Sequence, residues 1–197
     1  MKYPVFFDTI SPIVLKDPLA QFVGVNEDGI IEITYLDVVK MAGHSCAVVS
    51  GAYLSAAKGL KALYGKEIPR RGEIKVELKR APMEENAGVV GSVLSAITGA
   101  AANDGFGGLE GGKFSRRNLL FYGVPMDTDI RLTRMDTGKS VGINYRPGKV
   151  VNPPEIFQRA FGPGATPEQK KAFPRVFQEM VKTIFEKQDE VIEILGE

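Results

Sequence analysis

Two stretches of small side chains set the tightest limit on what this chain can fold into. Ala47, Ser50, Gly51, Ala52, Ser55, Ala56, Ala57 and Gly59 crowd one segment, and residues from Gly88 to Ala102 are again rich in Gly, Ser and Ala. Helices made of such residues can approach a neighbour closely, within one domain or across a two-fold axis. They form a stable core only if bulky side chains pack over them. The apolar stripe Phe177, Met180, Val181, Ile184, Phe185, Val191, Ile192 and Leu195 offers that cover, from the same chain or from a second copy.

Around these stretches, helix and strand signals alternate. Residues 14 to 33 read as a hairpin, with LAQFVGV as one strand, Asn26-Glu27-Asp28-Gly29 as the turn and IIEIT as the other strand. Thr34 and Asp37 are spaced as a capping box for the helix YLDVVKMA, which Gly43 stops in a left-handed conformation. A second helix is predicted from about Cys46 to Tyr64, with Gly65 as its stop. GEIKVELKR alternates, placing Ile74, Val76 and Leu78 on the buried face of a strand. Ala87 to Ala102 has helical length, and NLLFYGV, TDIRLTRM and SVGINY predict an antiparallel meander turned by Asp136-Thr137-Gly138-Lys139.

After Tyr145 the prolines Pro147, Pro153, Pro154, Pro163 and Pro167 mark a connector over the surface or toward a partner. Thr166-Pro167-Glu168-Gln169 then opens a helix that Pro174 is expected to interrupt early, its apolar stripe continuing helically to the end of the sequence. The fold class predicted is α+β: an antiparallel sheet with packed helices, a single core domain over 1–146, and a C-terminal helical extension. That extension, 147–197, comprises the proline-rich connector and helices that pack on the core or on a dimer partner.

Charge narrows the function. Lys plus Arg number 25 against 24 Asp plus Glu, so no global positive field recruits nucleic acid or an anionic membrane. No apolar stretch has the length of a membrane span. One cysteine forbids an intrachain disulfide and a four-cysteine zinc module, and with no signal peptide evident the expected location is cytoplasmic.

That cysteine lies two residues from the only histidine, in Gly43-His44-Ser45-Cys46. Within one helix, residues at i and i+2 face apart. With Gly43 ending one helix and another starting near Ser45, His44 falls in the corner and Cys46 in a first turn, where both side chains can converge on one point. A helix N-terminus also favours the thiolate, the form that binds metal or attacks an electrophile. Zinc takes four ligands, so further donors are needed; Asp37, Glu84, Glu85, Asn103 and Asp104 are candidates, as are water and a partner chain. The plainer alternative makes Cys46 a small buried hydrophobe and His44 a hydrogen-bonded corner residue.

Gly107-Gly108-Leu109-Glu110-Gly111-Gly112-Lys113 fits the first seven places of a phosphate-binding loop, but Phe114 stands where a hydroxyl is needed and no strand precedes it. The segment 103–113 instead predicts a mobile cover or binding edge over or beside the His44 corner. Lys113, Arg116 and Arg117 are placed to hold an anion or to form a solvated face.

The order of these features resembles the FmdE-like family, named for a component of formylmethanofuran dehydrogenase. The likeness spans roughly residues 15 to 145: DGIIEITYLDVVKMAGHSC, a small-residue helix ending in ALYG, the GEIKVEL strand, ITGAAANDGFGGL, then SRRNLLFYG and RLTRMDTGKSV. Where the family reads Gly-His-x-Cys-Pro-Gly, this chain reads Gly43-His44-Ser45-Cys46-Ala47-Val48. The resemblance implies an α+β core, a tight homodimer and a transition metal, zinc or nickel, at the corner of His44 and Cys46. The function expected is that of a soluble dimeric metal-binding protein, accessory to a molybdenum or tungsten formylmethanofuran dehydrogenase-type redox system or engaged in metal handling, with a small molecule or a redox enzyme as further partner. The competing expectation is an enzyme in which Cys46 is a thiolate nucleophile and His44 its acid/base. An interaction module using only the glycine loop and the dimer surface is the third.

Overall fold

The structure, a computed structural model, describes residues 2–196. Its architecture is α+β, with a two-stranded antiparallel sheet and a five-stranded, mostly antiparallel sheet among the described residues. The small sheet pairs β1 (Ile13–Lys16) with β2 (Ile30–Ile33), Ile13 opposite Ile33. LAQFVGV is not a strand. Asp17 accepts hydrogen bonds from the Leu19 and Ala20 amides and Pro18 occupies the first helical position, so the chain turns into the short helix α1 (Pro18–Phe22) before returning.

Helix α2 (Tyr35–Ala42) starts with the expected capping box, Thr34 with Asp37, and stops at Gly43 with φ of 76°. Helix α3 (Ala47–Tyr64) follows at once. Its small residues are explained by what lies on it: a Cβ at Gly59 would stand 2.5 Å from Ile143, and one at Gly51 would overlap the Tyr145 ring. The Ile143 and Tyr145 side chains of the sheet therefore rest directly on the helix backbone at these two glycines.

β3 (Ile74–Leu78) buries the predicted face, and α4 (Ala87–Thr98) follows, ending four residues earlier than its composition suggested because Gly99 takes a left-handed cap. Beyond it, the Ala101 and Ala102 backbone is engaged instead by residues 116–120, through Ala101 N–H to Arg116 C=O and Asn118 N–H to Ala102 C=O. β4 (Leu120–Phe121) pairs in parallel with β3, so the expected three-strand meander is not formed. The intervening α4 is a crossover that brings the chain back in the same direction. β5 (Ile130–Arg134) and β6 (Ser140–Tyr145) do pair antiparallel.

The 147–197 segment begins with a further helix, α5 (Pro153–Phe161), capped by Asn152. Helix α6 (Pro167–Glu186) begins with the predicted Thr166–Gln169 box. It runs unbroken through Pro174, which is exposed, so the Lys170 carbonyl that loses its partner can meet water. Met180, Val181, Ile184 and Phe185 bury its inner face, with Phe185 and Tyr35 rings 4.6 Å apart, so the bulky cover comes from the same chain. After α7 (Gln188–Val191), residues Ile192–Gly196 form β7 on the free edge of β6, not the end of a helix. The sheet order is β4-β3-β5-β6-β7. Among the described residues no helix is long and apolar enough to cross a membrane.

Candidate functional site: the corner between α2 and α3

The corner is fixed by its backbone. The left-handed Gly43 ends α2, and Cys46 in extended conformation (φ −150°, ψ 176°) is the N-cap of α3, with its side chain making no capping hydrogen bond. The segment is pinned from three elements: the Tyr35 hydroxyl lies 2.9 Å from Ser45 Oγ, Gln178 Nε2 of α6 donates to the Ser45 carbonyl, and the Tyr145 hydroxyl of β6 donates to the Ala47 carbonyl at 2.8 Å. Ser50 Oγ donates back to the Cys46 carbonyl.

His44 is exposed, and its Nδ1 donates to the Ala42 carbonyl at 2.9 Å. That bond sets the tautomer and leaves Nε2 as the lone-pair nitrogen. The imidazole borders a cavity of about 280 Å³ between α2 and α4, whose other walls include Val38, Met41, Val89 and Val93. Cys46 is half-buried, does not line that cavity, and packs against the core. Its electrostatic neighbours are Tyr35 and Tyr145. Burial pushes both phenols well above the ordinary range; the Ser45 and Ser50 hydroxyls oppose that shift and Cys46 adds to it. No hydrogen bond joins His44 to Cys46, so the contact that a nucleophile and its base require is not formed.

The other proposed donors are engaged or distant. Asp37 accepts from the Thr34 amide and hydroxyl, Glu84 from the Ala81 amide, and Glu85 pairs with Arg80. Asn103 and Asp104 belong to the glycine-rich loop, which does not cover the corner. None of its residues lines the His44 cavity; just beyond the loop, the Phe114 ring lies 5.3 Å from the Phe22 ring of α1. Among the described residues no group of three or more His, Cys, Asp or Glu is arranged to hold a metal ion. His44 and Cys46 are at most two of the four donors a zinc ion takes, and among the described residues they do not form a complete site by themselves.

Arg116 is neither a solvated group nor an open anion holder. Its side chain is buried, and Nη2 donates to Asp17 Oδ1 at 2.6 Å, while Arg71 Nη1 donates to Asp17 Oδ2 at 2.8 Å. Arg71 also caps α4 by donating to the Ala96 and Ile97 carbonyls. Burial alone would raise the Asp17 pKa, but the Arg71 hydrogen bond, the Arg116 charge and the Ala20 amide together hold it below the usual carboxylate range. Tyr35, Tyr145 and Gln178, the residues that frame Cys46, come from positions with no local signal. Only their buried polar atoms mark them.

No family model matches the chain, and no curated protein matches it.

Proposed function

We propose that this protein binds a transition metal, zinc or nickel, at the His44–Cys46 corner, as a homodimer of the FmdE-like kind, and that it handles metal in support of a molybdenum or tungsten redox enzyme. The observation that carries this reading is the His44 Nδ1 bond to the Ala42 carbonyl. A metal-ligating histidine is oriented by giving its other ring N–H to a carbonyl or carboxylate, and here that partner is already in place with Nε2 free at an exposed cleft. Cys46, outside any capping bond at the start of an 18-residue helix, supplies the second donor. The remaining donors come from outside the single chain, from a second copy or a small ligand. An ion held by two donors of one chain is suited to transfer rather than to stabilising a fold.

The test is metal analysis of protein purified without an affinity tag, combined with light scattering. The expected result is a dimer carrying zinc or nickel that is lost in both His44→Ala and Cys46→Ala, with occupancy falling as pH is lowered because protons compete for imidazole and thiolate. A protein that takes up neither metal on reconstitution, or a variant that keeps full occupancy, overturns the reading.

A further inference from the structure

A second cavity, of about 310 Å³, lies between α3, the start of α4 and the ends of β3, β5 and β6. One part of its wall is apolar, made by Ala52, Leu78, Ala87, Val90 and Ile130, with Tyr145 beside them. Gly51 makes the room, since a Cβ there would run into the Tyr145 ring.

Ser55 lines this cavity and is fully buried, yet its Oγ has no hydrogen-bond partner. A helical hydroxyl commonly bonds the carbonyl four residues before it. Ser50, Ser92, Thr98 and Thr183 all do so here, to Cys46, Gly88, Leu94 and Glu179. Ser55 does not, so its hydroxyl is left unpaired in a residue that borders this largely apolar wall, where an unpaired polar group is unfavourable.

The cavity also has charge, and it cancels in pairs. Arg80 Nη2 lies 3.1 Å from Glu85 Oε1, and Arg146 Nη1 pairs with Asp129, all four residues lining the cavity and partly exposed. Exposed pairs of this sort are weak and exchange readily with a ligand. A simple anion would draw a guanidinium away from its carboxylate and leave the acid unpaired. A ligand bearing both charges substitutes into the pairs without leaving either sign uncompensated.

We infer that this cavity binds a small zwitterion whose apolar body ends in a hydrogen-bonding group, the chemistry of a hydroxylated α-amino acid, with the charged head at the two ion pairs and the tip at Ser55 Oγ. The size suits such a molecule, being at the lower end of ligand pockets.

The test uses four probes that differ by one group each: L-tyrosine, L-phenylalanine, tyramine and 3-(4-hydroxyphenyl)propionate, titrated up to about 2 mM against labelled full-length protein by NMR. The expected result is saturable shifts at Ala52, Val90 and Ile130, with tyrosine about ten-fold tighter than phenylalanine, the value of one buried hydrogen bond, and both singly charged analogues weaker than tyrosine. Ser55→Ala removes an unpaired hydroxyl and keeps the methylene, so it folds, and it erases the difference between tyrosine and phenylalanine. Val90→Phe fills the cavity and abolishes binding of all four. The proposal is overturned if no probe binds, as for a cavity that holds only water. It is equally overturned if either singly charged analogue matches tyrosine, or if the difference survives Ser55→Ala.

Discussion

The Asp17–Arg71–Arg116 cluster and the His44–Cys46 corner are both places where the chain turns between elements, and they treat their polar atoms in opposite ways. At the first, Asp17 is 4% exposed and its two oxygens accept from two guanidinium groups and two backbone amides. At the second, an exposed imidazole keeps one nitrogen free and a half-buried thiol makes no cap. A buried charge surrounded by donors is architecture, because removing any member strands the others in low dielectric. A donor atom left free at a surface is available to something else.

Breaking the first region therefore has the largest effect. Asp17→Ala leaves two arginines without their carboxylate and is expected to destabilise the fold by about 3–5 kcal/mol, measured by urea unfolding. Gly72 stands next, with φ of 84° and a would-be Cβ that overlaps Arg116 Nη1. Gly72→Ala combines left-handed strain with displacement of a buried guanidinium, and about 3 kcal/mol is expected. Gly43→Ala is its control at the corner. Its φ of 76° is equally left-handed, but nothing lies within 4 Å of the new Cβ, so only the strain of about 1–2 kcal/mol remains. If the two glycine variants cost the same, packing of Arg116 on Gly72 contributes nothing.

Acid sharpens the same contrast. Asp17 has a depressed folded pKa, so its stabilisation is complete above the unfolded carboxylate value of about 3.9 and is lost as pH falls from there through the lower folded value. The wild-type urea midpoint is expected to drop over that range, and by less in Asp17→Ala. His44→Ala lies at the small end: an exposed ring with one backbone hydrogen bond shifts stability by no more than about 0.5 kcal/mol, while the proposed metal is lost. An unfolding shift several-fold larger makes His44 a structural residue.

How legible each region was follows from the range of the forces involved. Thr34, Asp37, Gly43, Thr166 and Gln169 act within a few residues, so the helix ends they set can be read directly from spacing. The β3–β4 direction was not legible, since it depends on where α4 carries the chain. Nor was α1, because LAQFVGV reads as a strand until the Asp17 side chain is seen to accept the Leu19 and Ala20 amides. At the corner, the adjacency of His44 and Cys46 was visible in the sequence. Their different surroundings were not, because Tyr145 and Gln178 arrive from strands and helices far along the chain. Arg116 gave the same difficulty: three basic residues in five look like a solvated face, and only Asp17, 99 positions away, makes one of them internal.

The pairing of β6 with β7 carries a consequence for the order in which the molecule assembles. β6 finishes at Tyr145, and the strand that covers its edge starts at Ile192, with α5, α6 and α7 in between. Closing so long a loop is slow relative to forming a local hairpin such as β5–β6. Through that interval β6 presents an open row of amides and carbonyls able to recruit a strand from another molecule. The molecule's exposure to misassembly is thus greatest wherever β7 is unpaired, and the segment from α5 to α7 is what has to be in place to close that edge.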